Sequence, residues 1–171
     1  MLSVRDVIPR DRDSYIAVKR EQYAEEFLKL CGDDNSLFSG LWEDSCGENN
    51  RLYAIEKEDG ETVGFGLLQE LNSGKPSIGI DIFEKHGGNG FATEGVRMML
   101  QQYHEETGIS VFSWRAFVSN IASNRVAEKL GGKLVGVEHL QVGHEITDKL
   151  EEKGVDLAEI LPKVNTYEIS L

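Results

Sequence analysis

The stretch Ser77–Gly95, SIGIDIFEKHGGNGFATEG, constrains this chain more than any other. Ile78, Ile80 and Ile82 alternate with small or polar residues, which is the period of a half-buried strand. Three glycines follow, Gly87, Gly88 and Gly90, and from Phe91 the apolar positions recur at helical spacing. A strand that feeds a helix through glycines lets backbone N–H groups converge on an anion at the helix N-terminus, where the macrodipole is positive. The local reading is a phosphate cradle. Spacing narrows the ligand. The third glycine of the dinucleotide fingerprint falls at Thr93, and the strand around Val111–Phe117 carries no acid for a ribose. The Gly-Lys-Ser/Thr of a P-loop is absent.

What stands here is a basic residue, two spacers and Gly-x-Gly: Lys85, Gly88 and Gly90, with Ala92 following. A second segment, Asn120–Gly132, reads NIASNRVAEKLGG. In this order, with a strand between them, the two resemble the acyl-CoA loop (Q/R-x-x-G-x-G/A) and the later N-x-x-S/A-x-x-x-x-E-K-x-G-F helix of the GNAT superfamily of N-acyltransferases. Lys85 stands where that family prefers Gln or Arg, and Gly132 replaces its final Phe. The ATEG after the loop and Ser123 in the second motif look most like the RimJ/RimL-type branch, which includes ribosomal-protein N-terminal acetyltransferases and many small-amine acetyltransferases. The resemblance implies an α/β fold with a central, mostly antiparallel, splayed mixed sheet flanked by helices. The motifs span roughly Gly64–Gly136, and the remainder of the chain is compatible with the same fold.

With 171 residues the chain is expected to be one domain, 1–171. Its net charge of −12 argues against a broad nucleic-acid-binding face and favours, weakly, a cationic acceptor, although many proteins are acidic for solubility alone. No apolar run approaches a membrane span, and the N-terminus lacks a secretory pattern. Two cysteines, Cys31 and Cys46, make no disulfide framework, and neither has a His nearby in sequence. The expectation is a reduced cytoplasmic protein without nucleic-acid or membrane partners, monomeric or homodimeric. Coenzyme A is a polyanion, so its pocket must be locally positive; Lys85, the helix N-terminus, His86, Arg125 and Lys129 are the available sources.

Along the chain, Leu2–Ile8 alternates as a first strand, and Pro9–Asp11 opens a helical region running to Cys31 over two helices. Gly32–Asn50 is polar and acidic, with Leu37, Phe38, Leu41 and Trp42 embedded in it. That stripe reads either as a short amphipathic turn over the acceptor pocket or as a surface loop packed on the core. Leu52–Glu56 and Thr62–Leu71 are strands joined through Glu58-Asp59-Gly60, and Asn72–Pro76 turns into the strand at Ile78. A helix with Val96, Met99, Leu100 and Tyr103 inward stops at Gly108. Ile109–Val118, a helix from Asn120, and Lys133–Val142 complete a β-α-β-α-β run. Glu145–Leu161 reads as a helix broken around Gly154, an excursion unusual for the family, and Thr166–Leu171 as a closing edge strand.

Acyl transfer from a thioester to an amine needs a neutral amine, a polarised carbonyl, the two held together, and help for the leaving thiolate. The resemblance implies acetyl-CoA as acyl donor and no metal. Its pantetheine arm is expected to lie along Asp81–Phe83, with the N–H of Ile82 or Phe83 facing the thioester oxygen. Its pyrophosphate is expected on the N–H groups of Gly88, Asn89, Gly90, Phe91 and Ala92, with Lys85 and Asn120 as further contacts. Where many members carry a leaving-group Tyr, seven residues after the Asn, this chain has Ala127. Ser123, or a water, remains to meet the sulfur. Helix capping explains Asn120 and Ser123 equally well. Asp81 and Glu70, both placed on strands, are the candidate general bases, and solvated strand-face acids are the alternative. The expected activity is acetylation of a primary amine, a protein N-terminus or a small amine such as a polyamine. The rivals are a CoA-binding sensor without turnover and, against Thr93, a Rossmann-type nucleotide-binding domain.

Overall fold

The computed structural model describes residues 1–22, 36–140 and 161–171, positions 36 and 37 by backbone alone. By its contacts the chain divides into two units, Met1–Phe112 with Ser170–Leu171, and Ser113–Ile169. The second predicted N-terminal helix, Cys31, Asp33 and Asp34, and the excursion from Glu145 to Ile160 lie outside the described residues.

In the first unit β1 (Leu2–Asp6), β2 (Arg51–Lys57), β3 (Thr62–Gln69) and β4 (Ser77–Ile82) form an antiparallel meander. Gly60, at φ +83°, closes the β2–β3 hairpin. The middle strands are apolar over nearly their whole length because both of their faces are covered. On one face lies α1 (Arg12–Glu21), whose Tyr15 and Val18 pack on Leu52, Ala54, Phe65 and Leu67. The stripe around Leu37–Trp42 proves to be a full helix, α2 (Ser36–Ser45). It buries Phe38 and sets Trp42 edge-on to Tyr15, ring centroids 5.5 Å apart.

The start of α1 is fixed by Asp11, a buried carboxylate that accepts the Ile8 N–H at 2.8 Å and two N–H groups of Arg5 at 2.7 and 2.9 Å. The Arg5 guanidinium holds the Asp11 carboxyl below the usual range.

The opposite face takes α3 (Phe91–Thr107). A Cβ on Gly66 would stand 2.7 Å from Met99 Sδ, and one on Gly95 2.6 Å from Ile55 Cδ1. Two missing side chains thus let α3 lie close on the sheet. Its end is marked by Gly108, at φ +76°, whose N–H bonds the His104 carbonyl.

The second unit holds most of β5 (Val111–Phe117), α4 (Ile121–Lys129), β6 (Lys133–His139) and most of β7 (Lys163–Ser170). The order here is β5-β7-β6, so β7 is an inner strand and β6 the edge. The expectation of a C-terminal edge strand is corrected: alternation shows that a face is buried but not which strands flank it. Val164, Tyr167 and Ile169 are buried on β7, whereas Leu134, Val135 and Val137 of β6 are exposed.

Candidate functional site

Beyond β4 the chain makes a short 3-10 turn, Glu84–His86, passes Gly87–Gly90 and enters α3. Gly88 and Gly90 lie at φ +76° and +80°, and a Cβ at either would meet open space. These glycines are needed for backbone direction, not for room. Gly90 is the N-cap of α3, no side chain caps it, and the first intrahelical donor is Glu94, whose N–H reaches the Gly90 carbonyl. The N–H groups of Phe91, Ala92 and Thr93 therefore have no partner inside the helix and sit at its positive end. Asn89 ties the loop together, donating from Nδ2 to the carbonyls of His86 and Gly87 at 3.1 and 3.2 Å.

The basic residues of the loop share a partner that the sequence reading missed. Lys85 Nζ donates to Glu61 Oε1 at 2.6 Å, His86 Nε2 lies 3.0 Å from the same oxygen, and Lys57 pairs with Oε2. A carboxylate only accepts, so His86 carries its proton on Nε2. The bonds from Lys57 and then Lys85 lower the Glu61 carboxyl to about 2. His86 is buried against Phe91, ring centroids 6.1 Å apart.

At the end of β4 the register separates two backbone donors. The Phe83 N–H bonds the Val63 carbonyl at 3.0 Å, while Ile82 stands opposite Gly64. Hydrogen-bonded and non-hydrogen-bonded pairs alternate along an antiparallel ladder, so the Ile82 N–H points away from β3. A Cβ on Gly64 would come within 2.2 Å of the Asp81 carbonyl, which makes this the tightest backbone approach among the described glycines.

Asp81 is register-paired with Phe65 and turns its side chain towards α1, where Oδ2 lies 2.6 Å from Lys19 Nζ. Lys19 Nζ also stands 5.5 Å from the centroid of the Tyr15 ring. Tyr15 Oη is 2.8 Å from Ser45 Oγ, and burial pushes its phenol up. Glu21, the last residue of α1, accepts the Glu84 N–H at 2.8 Å, fastening the helix end to the loop. Glu70 is displaced from its expected place: β3 ends at Gln69, and Glu70, exposed at φ +57°, caps the turn Leu71–Ser73. It lies off the strand on which its role as a base was reasoned.

In the second unit Asn120 Oδ1 accepts the Ser123 N–H at 3.0 Å and so caps α4. Ser123 Oγ accepts Trp114 Nε1–H at 3.1 Å. Ala127 is fully buried. Asn124, unnoticed in the sequence, is buried and satisfied on both sides. It donates to the carbonyls of Asn120 and Phe117 at 2.7 and 2.9 Å and accepts from Asn165 and Tyr167 at 2.8 and 2.9 Å. Its neighbours in the motif drew attention because they suit a cofactor; Asn124 holds the segment's shape.

Residues 2–133 match the family model for the acetyltransferase (GNAT) domain. The chain belongs to the GNAT acetyltransferases. Members of this family use an acyl-CoA as acyl donor. The "Uncharacterized N-acetyltransferase YoaA" of Bacillus subtilis (strain 168) is 30% identical over 104 residues, 58% of this chain and 56% of that protein. This match spans little more than half of that relative. Among solved structures, a chimera of the spermidine N-acetyltransferase SpeG from Vibrio cholerae and hSSAT superposes with a TM-score of 0.74 at 16% identity, covering 99% of this chain and 95% of that one. A ribosomal-protein alanine N-acetyltransferase from Escherichia coli does so with 0.67 at 12% identity, covering 99% and 94%. At such identities the likeness establishes the fold, a mixed α/β arrangement with a mostly antiparallel sheet.

The loop fits a polyanion: two left-handed glycines aim a run of backbone donors at the uncapped end of a 17-residue helix. Among the described residues, no three His, Cys, Asp or Glu side chains are grouped to hold a metal, and no helix is long and apolar enough to cross a membrane.

Proposed function

We propose that this GNAT domain transfers the acetyl group of acetyl-CoA directly to a primary amine within a ternary complex. The observation that carries the reading is the continuity of β4, loop and α3. One segment supplies both an Ile82 N–H directed away from β3 and, a few residues on, the uncapped α3 terminus. Acetyl-CoA supplies the activated thioester. The N–H groups from Gly88 to Ala92, extended by Thr93, hold its pyrophosphate, and the Ile82 N–H polarises the thioester carbonyl. Of Ile82 and Phe83, Ile82 suits that task better, because the Phe83 N–H is engaged by Val63. Asp81 receives the amine's proton, directly or through a water. Ser123 accepts from Trp114 and keeps its own O–H to donate to the departing sulfur. Asn120 orients that serine through the cap.

The acceptor is a cationic amine, a polyamine or a protein N-terminus of the RimJ/RimL type. The net charge of −12 supports this by steering cations towards the protein, and the solved neighbours that act on spermidine and on a ribosomal-protein alanine make both acceptor types compatible with the fold. We place the whole chain, 1–171, in one cytoplasmic acetyltransferase domain, monomeric or homodimeric, without nucleic-acid or membrane partners. A second reading has its own support. With Ala127 at the tyrosine position and Lys85 neutralised by Glu61, the chain suits a CoA-binding sensor without turnover. Acetyl-CoA-dependent thiol release across polyamines, aminoglycosides and N-terminal peptides separates the two. Release with one amine class supports the enzyme; binding of acetyl-CoA without release from any supports the sensor.

A further inference from the structure

We propose that Lys19 occupies the seat of the acceptor amine and is itself acetylated on Nζ when acetyl-CoA is bound and no external amine displaces it. This rests on the acyl-transfer reading of the β4 end.

A carboxylate and an aromatic face, both withdrawn from bulk water, are the chemistry that recognises an alkylammonium. Asp81 and Tyr15 supply that pair, and Lys19 Nζ fills it, 2.6 Å from Asp81 Oδ2 and 5.5 Å from the Tyr15 centroid. The side chains of Lys19 and Asp81 are 21% and 20% exposed. The arrangement is fixed from several directions. Tyr15 and Lys19 are one helical turn apart on α1 and so share a face. Ser45 holds the phenol, Phe65 and Trp42 pack edge-on against the ring, and Glu21 binds the end of α1 to the Glu84 N–H. Asp81 is also the residue before Ile82, and consecutive Cα atoms are about 3.8 Å apart. The amine is thus held beside the proposed base, one residue from the N–H assigned to the thioester oxygen. An ion pair with exposed edges stabilises a fold by no more than about 1 kcal/mol, which is little reason for so much scaffolding.

The step balances without any further reactant. The Lys19 ammonium gives one proton to Asp81 or solvent. Its nitrogen attacks the acetyl carbon, the N–C bond forms and the C–S bond breaks. The nitrogen loses its second proton as the adduct collapses, the sulfur leaves as thiolate and takes up that proton or one from solvent, and the products are Nζ-acetyl-Lys19 and the free thiol of coenzyme A. Acetylation removes the lysine's charge and with it the ion pair to Asp81, which leaves the carboxylate open to an external ammonium.

The test is incubation of the full chain with acetyl-CoA and no amine, followed by intact mass and peptide mapping, with thermal shift reporting acetyl-CoA binding. The expected result is one acetyl group on Lys19, gained ahead of Lys85. Spontaneous chemical acetylation would favour Lys85, whose side chain is 62% exposed against 21% for Lys19. Asp81→Asn is expected to slow the Lys19 reaction at least about tenfold and leave Lys85 unchanged, and spermidine in excess is expected to protect Lys19. Lys19→Arg confirms the assignment by removing that acetyl group alone. Lys19 unmodified, or modified no faster than Lys85, in a protein that acetyl-CoA does stabilise would overturn the proposal and leave the acyltransferase reading intact. No stabilisation by acetyl-CoA would overturn the reading of the glycine loop, and this proposal with it.

Discussion

Glu61 holds Lys85: the acid just before β3 accepts the loop ammonium on Oε1 at 2.6 Å, and so cancels charge where a polyanion is proposed to bind. Glu61→Gln removes the negative charge and keeps one oxygen, which can still accept from His86, while the amide NH2 takes the place of the oxygen that Lys57 used. Acetyl-CoA is expected to bind this variant several-fold more tightly at low salt, the gain shrinking as salt screens exposed charges. Titration calorimetry at two ionic strengths checks it; equal or weaker binding at low salt would count against Lys85 as a phosphate contact.

The same residue gives a pH dependence of stability. The Glu61 carboxyl is lowered from 4.5 to about 2 by Lys57 and Lys85. A carboxyl depressed in the folded state contributes stability above its unfolded value and loses it as pH falls through the folded one. Between pH about 4.5 and about 2 the wild type is therefore expected to lose stability relative to Glu61→Gln, with a constant difference above that window. Denaturant melts of both proteins across the window read this out.

Ile82 and Phe83 are neighbours with opposite backbone duties. Ile82→Pro removes an N–H that faces away from β3 and is expected to lower kcat about 100-fold, the cost of one oxyanion-type donor, with acetyl-CoA binding retained. Phe83→Pro removes the bond to Val63 and is expected to cost about 1 kcal/mol of stability or more. Parallel losses of kcat and stability in both variants would contradict the assignment of Ile82.

Gly64→Ala places a methyl 2.2 Å from the Asp81 carbonyl and 2.9 Å from Ile82 Cα, both backbone atoms that cannot rotate aside. Destabilisation of about 3 kcal/mol and loss of turnover are expected together, because β4 must move. At Gly66 the contact is with the end of the flexible Met99 side chain and at Gly95 with the side chain of Ile55 rather than backbone, so alanine is expected to cost less at both, and least at Gly66. Urea melts of the three variants set the order.

Ser123→Ala leaves Trp114 Nε1–H, on a side chain only 2% exposed, without its acceptor, at an expected cost of about 1–3 kcal/mol whether or not the hydroxyl serves catalysis. Asn120→Ala loses the α4 cap, at about 1 kcal/mol. Stability must therefore be measured beside kcat, and a role for Ser123 at the sulfur requires a fall in kcat at temperatures where the variant is fully folded.

These residues also mark what the sequence could tell. The strand, glycines and helix of Ser77–Gly108 were legible because each boundary is written locally, Gly90 and Gly108 bracketing an amphipathic run. The cap at Asn120 was legible for the same reason. Glu61 was not, because it meets Lys85 across 24 residues of chain. Glu70 was misplaced by one residue, enough to move it from strand to turn. The choice between Ile82 and Phe83 depends on ladder parity, and the inner position of β7 on strand order; neither leaves a mark on local periodicity.

The most direct test of acetyl transfer within a ternary complex is the initial rate of thiol release, with acetyl-CoA and a reactive amine each varied against the other. Intersecting double-reciprocal lines, abolished in Gly88→Glu, are the expected result. Parallel lines, or acetyl-CoA binding with no amine-dependent release, would contradict it.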